Sequence, residues 1–248
     1  MGYPAPSGTD AWAGIFLNSD TRGIYGLMDV REDVNIPAGW SGALVYAPTL
    51  MPGGGSCVEL TTIHWRGSDF GQSFNDGLGI WDWCHQNSFV NFWSFSTTFK
   101  NKYVRNVTDE WGNLRAKYYA VVYADNPAGV PYSYDTWRVL LYNYSTGYYD
   151  LMLSIEGTGF GLSTGWSMHE SQYMQGTYNG GACISLPSIR TIGMNVRRPD
   201  GSWTPPTAAI RSYGGVQGGN CWMNSSYTLY IDQYTDGDWW GWTPSNSN

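Results

Sequence analysis

Apolar residues along this chain recur in short alternating runs, not at helical spacing. In SFVNFWSFSTTF, Phe89, Asn91, Trp93 and Phe95 fall on one phase and Val90, Phe92, Ser94 and Ser96 on the other. That period of two suits a pleated strand. AWAGIFL, GIYGLMDVREDVNI, SGALVYAPTL, CVELTTIHW, GIWDWC, KYYAVVYAD, TWRVLLYNY, YYDLMLSIEG, ACISLPSIRTIGMNVRRP and SSYTLYIDQYT read as further strand-prone segments. Turn-forming stretches such as NSDTRG, PAGW and the glycine-rich GSDFGQSFNDG divide them. NYSTGYY predicts a hairpin, with Gly147 supplying the positive φ. No window combines helical spacing with a cap at each end. The pattern predicts an all-β fold, an antiparallel β-sandwich with negligible helix. Neither a repeat nor a Pro- or Ser-rich linker divides the chain. A single domain is therefore expected over 11–242, after a flexible lead-in at 1–10 and before a polar tail at 243–248.

Composition supports this and removes several function classes. Of 248 residues, 42% are apolar but only 13% charged, while 17% are aromatic. That balance fits an exported β protein and opposes disorder, which needs high charge and few aromatics. The net charge is −7, with only three lysines, Lys100, Lys102 and Lys117. No basic stripe is present to neutralise phosphates, so nucleic acid is not an expected partner. No apolar run approaches the ~20 residues of a membrane span. The opening MGYPAPSGTD has neither a charged n-region nor an apolar h-region, so it reads as the start of a mature chain with an added Met. The expected setting is secreted and extracellular, the expected state a monomer. An acidic, lysine-poor protein also suits an acidic medium.

Cys57, Cys84, Cys183 and Cys221 form no CxxC pair, and only His64, His85 and His169 could assist them. No metal site is expected. An even count in an export-like chain predicts two disulfides, and the sequence-local pairing, Cys57–Cys84 with Cys183–Cys221, is preferred. Asn106, Asn143 and Asn224 head Asn-x-Ser/Thr sequons, which in a eukaryotic protein would mark exposed loops. There is no GxSxG elbow, phosphate-binding glycine loop or HExxH. The scattered histidines suggest structural roles.

Carboxylates remain. The chain has five glutamates, Glu32, Glu59, Glu110, Glu156 and Glu170, and two stand inside β-prone segments. Alternation groups Glu59 with Cys57, Thr61 and Ile63, and Glu170 with Trp166, Met168 and Gln172. Each is either half of a catalytic pair lining a cleft or a residue on a wet strand face.

Trp12-Ala13-Gly14 in DAWAGIF, NYSTG at 143–147 and GWSMHES around Glu170 resemble, in the same order, motifs of the eqolisins, the fungal-type glutamic peptidases. SCVELTTIHW, with Glu59, is similar to the strand carrying the first glutamate of the neprosin-type peptidases. The likeness touches about a fifth of the chain, and Glu170 stands four residues after Trp166 where the family pattern has three. It implies a concanavalin-A-like double sheet (a jelly roll) and an acid-active endopeptidase with Glu59 and Glu170 as a catalytic dyad. One carboxylate would take a proton from water while the partner donates to the oxyanion, with no cofactor. Gln72 or Gln86 would be weaker stand-ins than Glu59 for the eqolisin glutamine. Trp65, Trp83, Trp93 and Trp166 are expected to contact the polypeptide substrate.

The competing reading is carbohydrate binding or cleavage. Trp65, Trp81, Trp83, Trp93, Trp239, Trp240 and Trp242 offer stacking faces for a polysaccharide, and two carboxylates also serve glycoside hydrolysis.

Overall fold

The computed structural model describes residues 11–17, 20–34, 43–66, 76–85, 88–108, 112–125, 135–157, 165–173, 189–206, 211–217, 227–232 and 239–244. They build two facing β-sheets, with strands numbered in chain order. Sheet A runs β14 (Arg211–Gln217), β1 (Ala11–Leu17), β11 (Gly165–Tyr173), β3 (Ala43–Leu50), β4 (Val58–Arg66), β5 (Asp76–Asp82) and β6 (Ser88–Ser94). Sheet B runs β10 (Tyr148–Glu156), β9 (Thr136–Asn143), β8 (Leu114–Ala124), β2 (Gly23–Asp29), β12 (Ile189–Arg197), β16 (Trp239–Pro244) and β15 (Tyr227–Asp232). β7 (Val104–Thr108) adds to β8 and β13 (Trp203–Thr204) to β12. Every pairing among the described residues is antiparallel. This is the expected antiparallel β-sandwich.

The period of two explains the layers. In β9, Trp137, Val139 and Leu141 are fully buried while Arg138, Leu140 and Tyr142 alternate outward. They meet Ile15 and Leu17 of β1, Val58 and Leu60 of β4, Leu78 and Ile80 of β5, and Tyr118 and Val122 of β8 in one core between the sheets. Burying each such side chain contributes roughly 1.5–3 kcal/mol. Thr62 Oγ1 and Tyr118 Oη, 2.6 Å apart, form a polar bridge across that core.

The hairpin expected at 143–147 joins β9 to β10. Gly147 takes φ +78° and its N–H donates to Asn143 O at 2.8 Å. Cys57 and Cys84 are disulfide-bonded, with Cα atoms 4.9 Å apart. Cys183 and Cys221 lie outside the described residues, as do the lead-in at 1–10 and residues 245–248. β16 continues through Pro244, two residues into the segment read as tail. One expectation needs correction. The run SFVNFWSFSTTF is not all strand: β6 stops at Ser94 and a short helix, α1 (Thr97–Tyr103), follows. Ser96 caps it, accepting the Phe99 N–H at 3.2 Å, and Phe99 and Tyr103, four apart, bury one face.

Candidate functional site

Because Val58, Leu60 and Thr62 of β4 face sheet B, Glu59, Thr61, Ile63 and Trp65 stand on the outer face of sheet A. That face is aromatic. Tyr46, Ile63 and Trp65 form a second apolar cluster with Phe89 and Phe92 against it. Trp81, opposite Glu59 across the β4–β5 ladder, meets Phe89 edge to face at 4.6 Å. A carboxylate has been set into apolar surroundings, where it requires partners.

It has them. Glu59 is only 5% exposed, and each of its oxygens accepts an indole N–H. Trp166 Nε1 donates to Oε1 at 2.7 Å and Trp83 Nε1 to Oε2 at 3.1 Å. An indole nitrogen can only donate, and an ionised carboxylate accepts on both oxygens, so the three groups match without conflict. The two indoles meet edge to face at 6.2 Å.

Two local devices bring the donors in. β11 begins at Gly165, where any Cβ would fall 2.2 Å from Gly53 N and 2.4 Å from Met51 O. Only glycine permits that approach. It lets Trp166 and Met51 exchange backbone bonds of 2.7 and 2.8 Å, placing Trp166 two chains across from Glu59. Trp83 is the first residue past β5, in a turn where Asp82 Oδ1 accepts the Cys84 and His85 N–H groups at 2.8 and 3.1 Å. Its own N–H donates to Cys57 O at 2.8 Å.

Glu170 occupies β11 opposite Tyr46 on one side and Trp12 on the other. The β1–β11 register is unbroken from Gly165 to Ser171. The one slip nearby is in β3, between Tyr46 and Thr49. Two strand spacings and four residues of rise separate the Cα atoms of Glu59 and Glu170 by about 16 Å. The side chain of Glu170, and with it the expected pairing of the Glu59 and Glu170 carboxyl groups, lies outside the described residues.

The expected substrate contacts divide. Trp166 and Trp83 touch the carboxylate itself. Trp65 is 1% exposed within the outer-face cluster, and Trp93 is partly buried against the core between the sheets. Gln72 and Gln86 lie outside the described residues. His64 is structural: it is fully buried facing sheet B, with Nδ1 2.7 Å from Asp76 Oδ1. The indole grip was not foreseen from sequence, although the expected Cys57–Cys84 link already put Trp83 beside the start of the Glu59 strand.

Sheet B holds a buried ion pair. Lys117, 0% exposed, pairs with Asp29, and Arg115 lies 3.5 Å from the same carboxylate. Burial pulls the Lys117 ammonium below the usual lysine pKa, against the attraction of Asp29. Among the described residues no three or more His, Cys, Asp or Glu side chains cluster as a metal site.

Neither known protein families nor curated proteins match this sequence. Solved structures do match in fold. A crystal structure of scytalido-glutamic peptidase with a peptide-based transition-state analogue superposes with a TM-score of 0.54 at 11% identity, covering 95% of this chain and 98% of that one. A second, with a transition-state analogue inhibitor, gives a TM-score of 0.46 at 13% identity over the same shares. The likeness at that identity is one of architecture.

Proposed function

We propose that the protein is a secreted, acid-active endopeptidase in which Glu59 is the working carboxylate. The observation that carries this reading is the Glu59 carboxylate, buried on an aromatic sheet face and gripped by two N–H donors. The fold shared with a peptidase crystallised with a peptide analogue supports it, as does the acidic, lysine-poor composition. Glu59 takes a proton from water as the water attacks the scissile carbonyl, then returns that proton to the departing amide nitrogen. Fixing both carboxylate oxygens orients the remaining lone pairs before substrate arrives.

Glu170 is assigned to the substrate chain. About 16 Å is the span of roughly five extended residues, so one peptide lying over sheet A reaches both positions. Glu59→Gln should abolish cleavage of a denatured protein at about pH 3.5, in the carboxylate range. Glu170→Gln should act mainly on KM for long peptides. Full activity in a folded Glu59→Gln enzyme would sink the proposal.

A second reading, glycan binding, has its own observation. On the outer face of sheet B the rings of Trp203, Tyr25, Tyr119, Tyr149, Tyr142 and Tyr144 follow one another at 4.9–5.8 Å. Trp203 and Tyr149 are 38% and 44% exposed. Binding to a polysaccharide panel, lost in Tyr149→Ala, supports this reading; no binding to any panel member removes it.

A further inference from the structure

The turn that carries Trp83 lies just past the end of β5, which stops one residue earlier at Asp82. What holds it is local: the Asp82 carboxylate beneath the turn, the Trp83–Cys57 backbone bond, and the covalent link from Cys84 to Cys57. The crosslink joins the residue after Trp83 to the residue two before Glu59. Its ends therefore bracket the Trp83–Glu59 hydrogen bond. Trp166 reaches the same carboxylate from β11 and does not depend on that crosslink, since its position is set by the Met51 pairing.

We propose that the Cys57–Cys84 disulfide is a positioning device for Glu59, acting through Trp83, and that its reduction turns the site down without unfolding the sandwich. The proposal rests on the reading of Glu59 as the working carboxylate, but its structural half can be measured without any activity. The reductant is a small dithiol. One of its thiolates attacks Cys84 Sγ, the less buried sulfur, and the Cys57 sulfur leaves as a thiolate and is protonated. The second dithiol sulfur then displaces Cys84, giving two cysteine thiols and a cyclic disulfide, a balanced two-electron, two-proton exchange. The freed turn lets the Trp83 indole leave Oε2 while Trp166 stays on Oε1.

The test follows indole N–H resonances in 15N-labelled full-length protein during dithiol titration. The Trp83 Nε1–H signal should move upfield as its bond to a carboxylate is lost. The Trp166 signal and the backbone amides of Val122 and Leu141 in sheet B should stay in place, showing an intact sandwich. In peptide hydrolysis, kcat should fall between about ten- and a hundredfold, the worth of one charge-assisted hydrogen bond, with KM little changed. Trp83→Phe, with the disulfide kept, should show the same fall, and reducing that variant should lower kcat no further. Reduction that leaves the Trp83 resonance where it was overturns the proposal, as does a further fall in reduced Trp83→Phe. An unmoved sheet B with a shifted Trp83 signal but no hydrolysis by the oxidised protein retains the clip and rejects the peptidase reading instead.

Discussion

Replacing Glu59 by glutamine changes one oxygen to an NH2 group and little else in shape, yet the grip of two indoles makes it a costly change. A carboxylate offers an acceptor to both Trp166 and Trp83; an amide offers one acceptor and turns donors toward the other indole. The Trp166 bond is the shorter, 2.7 against 3.1 Å, so the carbonyl should stay with Trp166 and the NH2 face Trp83. Losing charge assistance on one bond and leaving a buried donor unmatched at the other costs about 2–4 kcal/mol together. For a domain this size the melting temperature should drop by roughly 5–15 °C. The sharper consequence is a rescue. Trp83→Phe removes a useful donor from the native protein but an offending one from the Glu59→Gln variant, so its cost should be smaller there by about 1–3 kcal/mol. Trp166→Phe should bring no such relief. Urea unfolding of the two single tryptophan variants, Glu59→Gln and the two doubles, followed by far-UV circular dichroism, measures this directly. If Trp83→Phe costs the same in both backgrounds to within ~0.5 kcal/mol, the two-indole grip is wrong.

Two further outcomes concern stability elsewhere. Asp29→Asn leaves the fully buried Lys117 without its carboxylate and should cost about 3–5 kcal/mol in urea unfolding. Burial holds the folded Lys117 pKa below its unfolded value of about 10.4, so between the two the unfolded chain binds more protons. Its contribution to stability should therefore rise with pH across that window, and Lys117→Met should remove the rise. At Gly147, φ is +78° and nothing lies closer than Tyr142 Oη at 4.0 Å, so the cost of Gly147→Ala is backbone alone. About 1–2 kcal/mol is expected, and less for Gly147→Asn; equal stability for alanine and glycine would refute it.

The strands were legible because each buries a single face, and alternation such as that of Trp137, Val139 and Leu141 is written directly in the residue order. The hairpin at Gly147 and the Cys57–Cys84 link were legible for the same local reason. Helix α1 was not: seven residues of Thr, Phe, Lys, Asn and Tyr show too little of a 3.6 period, and what decides it is the Ser96 cap with Phe99 and Tyr103 packed below. The site was half legible. Scarcity and β context singled out Glu59 and Glu170, and alternation placed Glu59 on the face it shares with Thr61 and Ile63. The spacing of the two glutamates depends on how β11, β3 and β4 slide past one another, fixed by a slip in β3 and a close approach at Gly165. Gly165 stands in the Glu170 segment, but the Met51–Gly53 stretch it must approach does not, and the β3 slip lies outside both segments. Counting tryptophans likewise could not separate donors to a carboxylate, Trp83 and Trp166, from Trp65 in the outer-face cluster and Trp93 packed against the core.

The strand order of sheet A bears on how the protein is made. Both neighbours of β1, namely β11 and β14, come from the distal part of the chain, so among the described strands β1 has no ladder partner until residue 165 emerges. Glu59 can meet Trp83 early, 24 residues later, but Trp166 follows 107 residues after Glu59. At the ribosome's ~5–20 residues per second, the carboxylate waits roughly 5 to 20 seconds for its second donor. For longer still, AWAGIFL presents an unpaired, largely apolar strand to whatever is nearby, the condition under which nascent β proteins aggregate or recruit a chaperone.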